Sequence, residues 1–205
     1  MVWKQRFSNW ACGVLTLLLG LTVGGSLLSA FRWLGCYAPE RWPRNPVQSF
    51  VLAFLAIDFI YCWQHRAEHR SKLLWVIHAV HHQSVLCDTS VSLRTSALAP
   101  LTGLCLHLLL AVSGLPFAVY FPTYLLHSAF IFLLHTRAPR FVDRAGWVLN
   151  SAYLHRAHHS NHPKLRGKNF VTVHETTPPA RASRTTAEAR ATARRFQFCT
   201  RAERA

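Results

Sequence analysis

The chain has 205 residues, 51% hydrophobic and only 15% charged, and its 23 Lys+Arg against 8 Asp+Glu give a formal net charge of +15. An ordinary soluble globule carries about 25% charged residues, so a chain this apolar and this basic is neither a plain soluble domain nor a solvated, disordered one. Its apolar residues come in long runs rather than interleaved with the basic ones, which excludes a plain nucleic-acid binder and fits a membrane protein with basic flanks.

The first apolar segment, about 10–31, contains no charge and is long enough to cross a bilayer as a helix. It reads as a retained helix and not a cleaved leader, since no small-residue cleavage site closes it before Arg32. Pro39, Pro43 and Pro46 break the following loop. The second segment, 47–63, is apolar except for Gln48, Ser49 and Asp58, and runs without a breaker into Gln64-His65-Arg66-Ala67-Glu68-His69. That continuity predicts one helix over 47–69 carrying polar groups at its end. Two further helices are predicted over 97–115 and 119–136, a hairpin in preference to one crossing and a re-entrant piece, turned at Ser113-Gly114-Leu115-Pro116 or at Phe121-Pro122.

The expected fold is therefore all-α, an integral membrane helical bundle of about four transmembrane helices. A histidine-rich cap is expected from 64–96 and 137–170, closing a domain over 1–170. With four crossings, the side holding both termini and the middle loop carries thirteen Lys+Arg before residue 170, against three in the first loop. The positive-inside bias makes that side cytoplasmic, and every histidine cluster falls on it. From 171 to 205 the composition changes: Ala, Arg and Thr supply 22 of 35 residues. This basic tail is read as disordered or as a strip on the lipid surface. The six cysteines form no Cys-x-x-Cys pair, so neither a disulfide framework nor a cysteine zinc site is expected.

Thirteen histidines are the anomaly. His65-x-x-x-His69 puts two imidazoles on one helix face. His78-x-x-His81-His82 places three at i, i+3 and i+4, and His155-x-x-His158-His159 repeats that pattern. A repeat of a rare spacing weighs more than either copy, and neutral imidazole is the commonest metal ligand. Eight imidazoles exceed what one ion needs, so two ions are expected. The donor set suits iron, zinc or copper. Neither Glu-x-x-His nor His-Glu-x-x-His occurs, which removes the soluble di-iron bundle and metalloprotease patterns. Asp58, seven residues before His65, is expected to hold a ligand imidazole by its free N–H. Glu68 is expected to face solvent. His135 is a ninth candidate ligand. His127 is expected to line a cavity, His107 to hydrogen-bond inside the bundle, and His162 and His174 carry no assignment.

These residues resemble the membrane fatty acid hydroxylase/sterol desaturase superfamily. The matching stretches are Asp58-Phe-Ile-Tyr-Cys-Trp-Gln-His65-Arg-Ala-Glu-His69, Leu74-Trp-Val-Ile-His78-Ala-Val-His81-His82, Ser92-Leu-Arg-Thr-Ser96, His135-Thr136 and His155-Arg-Ala-His158-His159-Ser-Asn. The resemblance implies a membrane-bound oxidoreductase that uses O2 as cosubstrate to hydroxylate or desaturate a sterol or fatty acyl C–H bond. It implies two iron ions (Fe2+/Fe3+), with zinc as a substitute metal. The implied ligands are His65, His69, His78, His81, His82, His155, His158 and His159, with His135 beside them. A separate electron donor, a cytochrome or ferredoxin with its reductase, is implied as well. One departure stands out. After Gly167-Lys168-Asn169-Phe170 the family pattern stops, and the tail looks like another reading frame or a replaced terminus. Two alternative readings follow, a catalytically impaired relative and a histidine-rich membrane metal-binding protein. The second is disfavoured because the clusters lie at the ends of the apolar segments and not at mid-depth.

Overall fold

The computed structural model describes residues 2–84, 88–136, 150, 152, 155, 158 and 159. The tail 171–205, most of the expected cap segment 137–170, and His162 and His174 lie outside the described residues. Those residues form helices and turns and contain no strand. Three helices are long and apolar enough to cross a membrane: α1 (Val2–Gly35), α2 (Pro46–Arg70) and, after four shorter helices, α7 (Phe117–Leu134). The shorter four are α3 (Lys72–His82), α4 (Thr89–Leu93), α5 (Ala99–Thr102) and α6 (Leu104–Val112).

Local chemistry sets the boundaries. Asn45 caps α2, its side chain accepting from the N–H of Val47 at 3.0 Å and of Gln48 at 3.1 Å, and Pro46 occupies the first helical position where its missing donor costs nothing. Ser71, extended at φ −89°, ends α2 and begins α3. This break turns α3 back against the end of α2, so that Glu68 meets His78. Asp88 caps α4, accepting from the Ser90 N–H at 3.0 Å. Gly114 turns the chain between α6 and α7 at φ +88°, and a Cβ there would run into the Pro39 carbonyl; only glycine suits both demands.

The pairings fix the directions. At one end of α1, Asn9 donates to the Ser90 hydroxyl at 2.8 Å and Arg6 pairs with Asp88 at 3.2 Å. Near its other end Phe31 stacks on Tyr120, ring centroids 4.0 Å apart. Ala53 and Ile57 of α2 share a buried cluster with Phe31, Leu110, Ala111, Leu115 and Tyr120, and further along Asp58 meets His127. So α2 and α7 run parallel, α1 runs against them, and the apolar core sits at the end remote from the clustered histidines. Large apolar side chains such as Leu18, Leu21, Phe59, Trp63, Leu126 and Leu133 remain exposed on the outer faces, as a bilayer requires.

The predicted helix over 97–115 is divided. Gly103 separates α5 from α6, and α6 has nine residues, about 14 Å at 1.5 Å per residue. That is roughly half the hydrocarbon thickness. The hairpin turn falls at Ser113–Pro116, the first of the two expected places.

Candidate metal centre

Three helix ends deliver the histidines. The last turn of α2 carries His69, with His65 one turn before it, and the last turn of α3 carries His81 and His82. His135 caps the C-terminus of α7. His155 and His158 lie on a further helical piece, in which the His159 N–H bonds the His155 carbonyl at 3.1 Å. A helix C-terminus bears partial negative charge, so three such ends converging suit a cation.

The nine imidazoles gather into two groups. His65, His69, His78, His82 and His158 form one; His81, His135, His155 and His159 form the other. In each, one donor atom per residue lies within 4.8 Å of every other. Nitrogens held at about 2.1 Å by one ion stand roughly 3.0–4.2 Å apart, so each group fits a metal ion. The two repeated motifs are used reciprocally. From His78-x-x-His81-His82 the pair one turn apart, His78 and His82, enters the first group and His81 the second. From His155-x-x-His158-His159 the pair, His155 and His159, enters the second group and His158 the first. The i+3 residue is rotated about 100° from the i+4 residue, so each motif spans both groups.

The tautomers show what these nitrogens want. His81 Nδ1 lies 3.1 Å from the Arg94 carbonyl and His135 Nδ1 3.2 Å from the Ile131 carbonyl. A carbonyl only accepts, so each Nδ1 carries the proton and each Nε2 presents a lone pair. Yet His81 Nε2 and His135 Nε2 face each other at 3.1 Å. In the first group His78 Nδ1 donates to Glu68 Oε2 at 2.9 Å, and His78 Nε2 faces His82 Nε2 at 3.1 Å. The facing lone pairs of His81 and His135 are repulsive at this distance unless a cation lies between them, whereas His82 Nε2 can donate to His78 Nε2. Burial, reinforced by the neighbouring imidazoles, holds His81, His82, His155 and His159 well below the usual histidine range, and burial pushes His135 down to about 4. These five rings are therefore neutral at neutral pH.

The two carboxylates of α2 differ from expectation. Asp58, expected behind a ligand, meets His127 of α7 at 3.0 Å inside the bundle. Glu68, expected in solvent, is buried and stands behind His78. Its Oε1 accepts from Thr102 Oγ1 at 2.6 Å and Gln64 Nε2 at 3.1 Å. His127 Nε2 lies 3.0 Å from Asp58 Oδ1, and His107 bonds Tyr120 Oη at 3.1 Å as expected. Sequence reasoning missed Glu68, Gln64 and Thr102; a carboxylate between two ligands on a helix was the available signal for the first. Arg94 belongs to the Ser92–Ser96 stretch. Its guanidinium donates to the Val80 carbonyl at 2.8 Å, to Ser8 Oγ at 2.8 Å and to Gln83 Oε1 at 3.0 Å.

Comparison with known proteins agrees with this arrangement. Residues 50–176 match the family model described as fatty acid hydroxylase. The chain is 32% identical over 133 residues to the alkylglycerol monooxygenase of Danio rerio, covering 64% of this chain and 29% of that protein. It is 31% identical over 170 residues to the alkylglycerol monooxygenase of Homo sapiens, covering 82% of this chain and 38% of that one. The chain thus spans well under half the length of these relatives. No solved structure matches it.

Proposed function

Since the chain belongs to the fatty acid hydroxylase family, we propose that it is a membrane-bound, iron-dependent monooxygenase that hydroxylates a C–H bond of a lipid. The observation that carries this reading is the pair of imidazole groups, each with one donor atom per residue within 4.8 Å of every other, and in the second group the Nε2 lone pairs of His81 and His135 face each other at 3.1 Å. Its relatives are named monooxygenases of alkylglycerol, which favours hydroxylation over desaturation and makes an ether lipid the first substrate to try. The overall conversion is R–H + O2 + 2 electrons + 2 H+ to R–OH + H2O. The electrons come from a separate donor, a cytochrome or ferredoxin with its reductase.

His65, His69, His78, His82 and His158 would hold one iron, and His81, His135, His155 and His159 the other. Bound iron supplies the oxygen activation that a strong C–H bond requires and that side chains cannot provide. The protein's own part is placement. Glu68 and the carbonyls of Arg94 and Ile131 fix the protons of His78, His81 and His135 on Nδ1, so that Nε2 faces inward. The apolar lengths of α2 and α7 offer the hydrocarbon chain a dry approach to the centre. The basic flanks put this end of the bundle on the cytoplasmic side, where an acidic donor protein would be attracted.

The test is expression in membranes with iron, a reducing system and a panel of alkylglycerol, fatty acyl and sterol substrates under 18O2. The expected result is a product carrying one 18O atom in the wild type, and loss of product with loss of one of the two irons in His158→Ala. Two irons retained per chain with no oxygen-dependent product from any lipid would overturn the reading in favour of a metal-binding, non-catalytic relative.

A further inference from the structure

The hydrogen bonds behind the two imidazole groups are unlike. Glu68 is buried at 7% exposure, and its Oε2 accepts from His78 Nδ1 at 2.9 Å. Its other oxygen is held by Thr102 and Gln64, and Gln64 also donates to Thr102 Oγ1 at 2.8 Å. The clamp spans α2 and α5. Gly103 leaves room for the Gln64 amide, which any Cβ at that position would strike. In the second group the corresponding bonds seen among the described residues go to neutral backbone carbonyls, from His81 to Arg94 and from His135 to Ile131. A carboxylate behind an imidazole makes its inner nitrogen more basic and fixes its orientation, whereas a carbonyl mainly orients it.

We infer that Glu68 is a positioning residue, and that through His78 it makes the five-histidine group the tighter of two unequal metal sites. The inference rests on the di-metal reading above and adds an order to it. The site backed by Glu68 fills first on loading and empties last under a chelator. It also gives a reason for a buried carboxylate in a chain with only eight acidic residues. Such an acceptor contributes about 10–100-fold in metal affinity where it has been removed from other sites.

The test is titration of the full-length chain in detergent with Co2+, after chelator stripping, followed by visible absorbance and by metal analysis. Wild type is expected to take up two equivalents in two separate phases. His82→Ala should remove the tighter phase and His135→Ala the weaker one. Glu68→Gln keeps the shape of the side chain and removes its charge; it should weaken the tighter phase by about 10–100-fold and leave the weaker phase in place. Thr102→Val, which keeps the carboxylate and loosens its clamp, should shift the same phase by less, and serves if Glu68→Gln does not elute as a monodisperse species. A merely structural role for Glu68 would move both phases together, and that result overturns the inference. So does a Glu68→Gln variant with wild-type titration. A wild-type chain that binds no Co2+ and no Fe2+ overturns the metal reading beneath it.

Discussion

Asp58 and Glu68 stand ten residues apart on α2, about 15 Å along its axis, and their partners separate their roles. Glu68 lies at the helix end among the clustered histidines, and Asp58 lies within the bundle against His127, whose ring also abuts Phe54 and Tyr61 at centroid distances of 5.5 and 5.4 Å. An acid and an imidazole buried together in an apolar bundle tie α2 to α7. Removing one strands the other in hydrocarbon, at a cost of about 3–5 kcal/mol. Asp58→Leu and His127→Leu should each lower stability by that order in detergent denaturation. The double variant should recover most of the loss, because apolar replacement of a whole buried pair is often near neutral. Metal content should stay at the wild-type level throughout. A drop confined to Asp58→Leu would instead make Asp58 a support of the metal centre. The sequence marked Asp58 as needing a partner but not which one, because the partner is 69 positions away and only the α2–α7 packing brings it near.

At the scale of elements, α1 does more than anchor. Its apolar length faces outward, but its first turns carry Arg6, Ser8 and Asn9, which hold the α3–α4 connection through Asp88, Ser84, Ser90 and Arg94. Arg94 also presents the carbonyl that fixes His81. Residues outside the matched span 50–176 therefore support the centre. Asn9 is fully buried. Asn9→Leu removes its bonds to Ser90 and Ser84, and should destabilise the chain by about 1–3 kcal/mol while lowering metal retention. Unchanged retention would confine α1 to anchoring.

Asp88 supplies a pH signature on the same strap. Burial alone would raise its pKa, but bonds from the Ser90 hydroxyl and N–H, then Arg6, outweigh burial and hold it below its ordinary 3.8. A carboxyl depressed in the folded state stabilises above its unfolded value, and loses that contribution as pH falls through the lower folded value. Melting of wild type should therefore drop more steeply below pH 3.8 than melting of Asp88→Asn. Parallel profiles would show that the strap carries no such linkage. The long helices were legible because length and hydropathy suffice to find them. The division of 97–115 was not, because the break at Gly103 answers to Gln64, a contact invisible along the chain.

On the scale of the whole molecule, the apolar core and the metal centre sit at opposite ends of parallel α2 and α7. Phe31, Ile57 and Tyr120 close one end with packing. The other end brings together nine imidazoles from α2, α3, the end of α7 and the 155–159 piece, with the lone pairs of His81 and His135 facing one another. The motif spacing foretold a convergence of histidines. It did not foretell that each i, i+3, i+4 motif would divide between two groups, since that depends on how α3 and the last piece face each other. Metal held as proposed would be a structural member of this end of the bundle. A ligand that binds only the folded chain stabilises it by about 2.7 kcal/mol when present at 100 times its dissociation constant, which for a chain of this size is roughly 5–10 °C per ion. Chelator stripping should lower the melting temperature in detergent by at least that amount, and Fe2+ should restore it, with Mg2+ failing because imidazole is a poor donor for it. His135→Ala and His82→Ala should each abolish only part of the recovery, since each damages one group. Melting that is the same with two ions bound as with none would mean that the imidazoles hold their places without metal, and that the facing lone pairs are separated by something other than a cation.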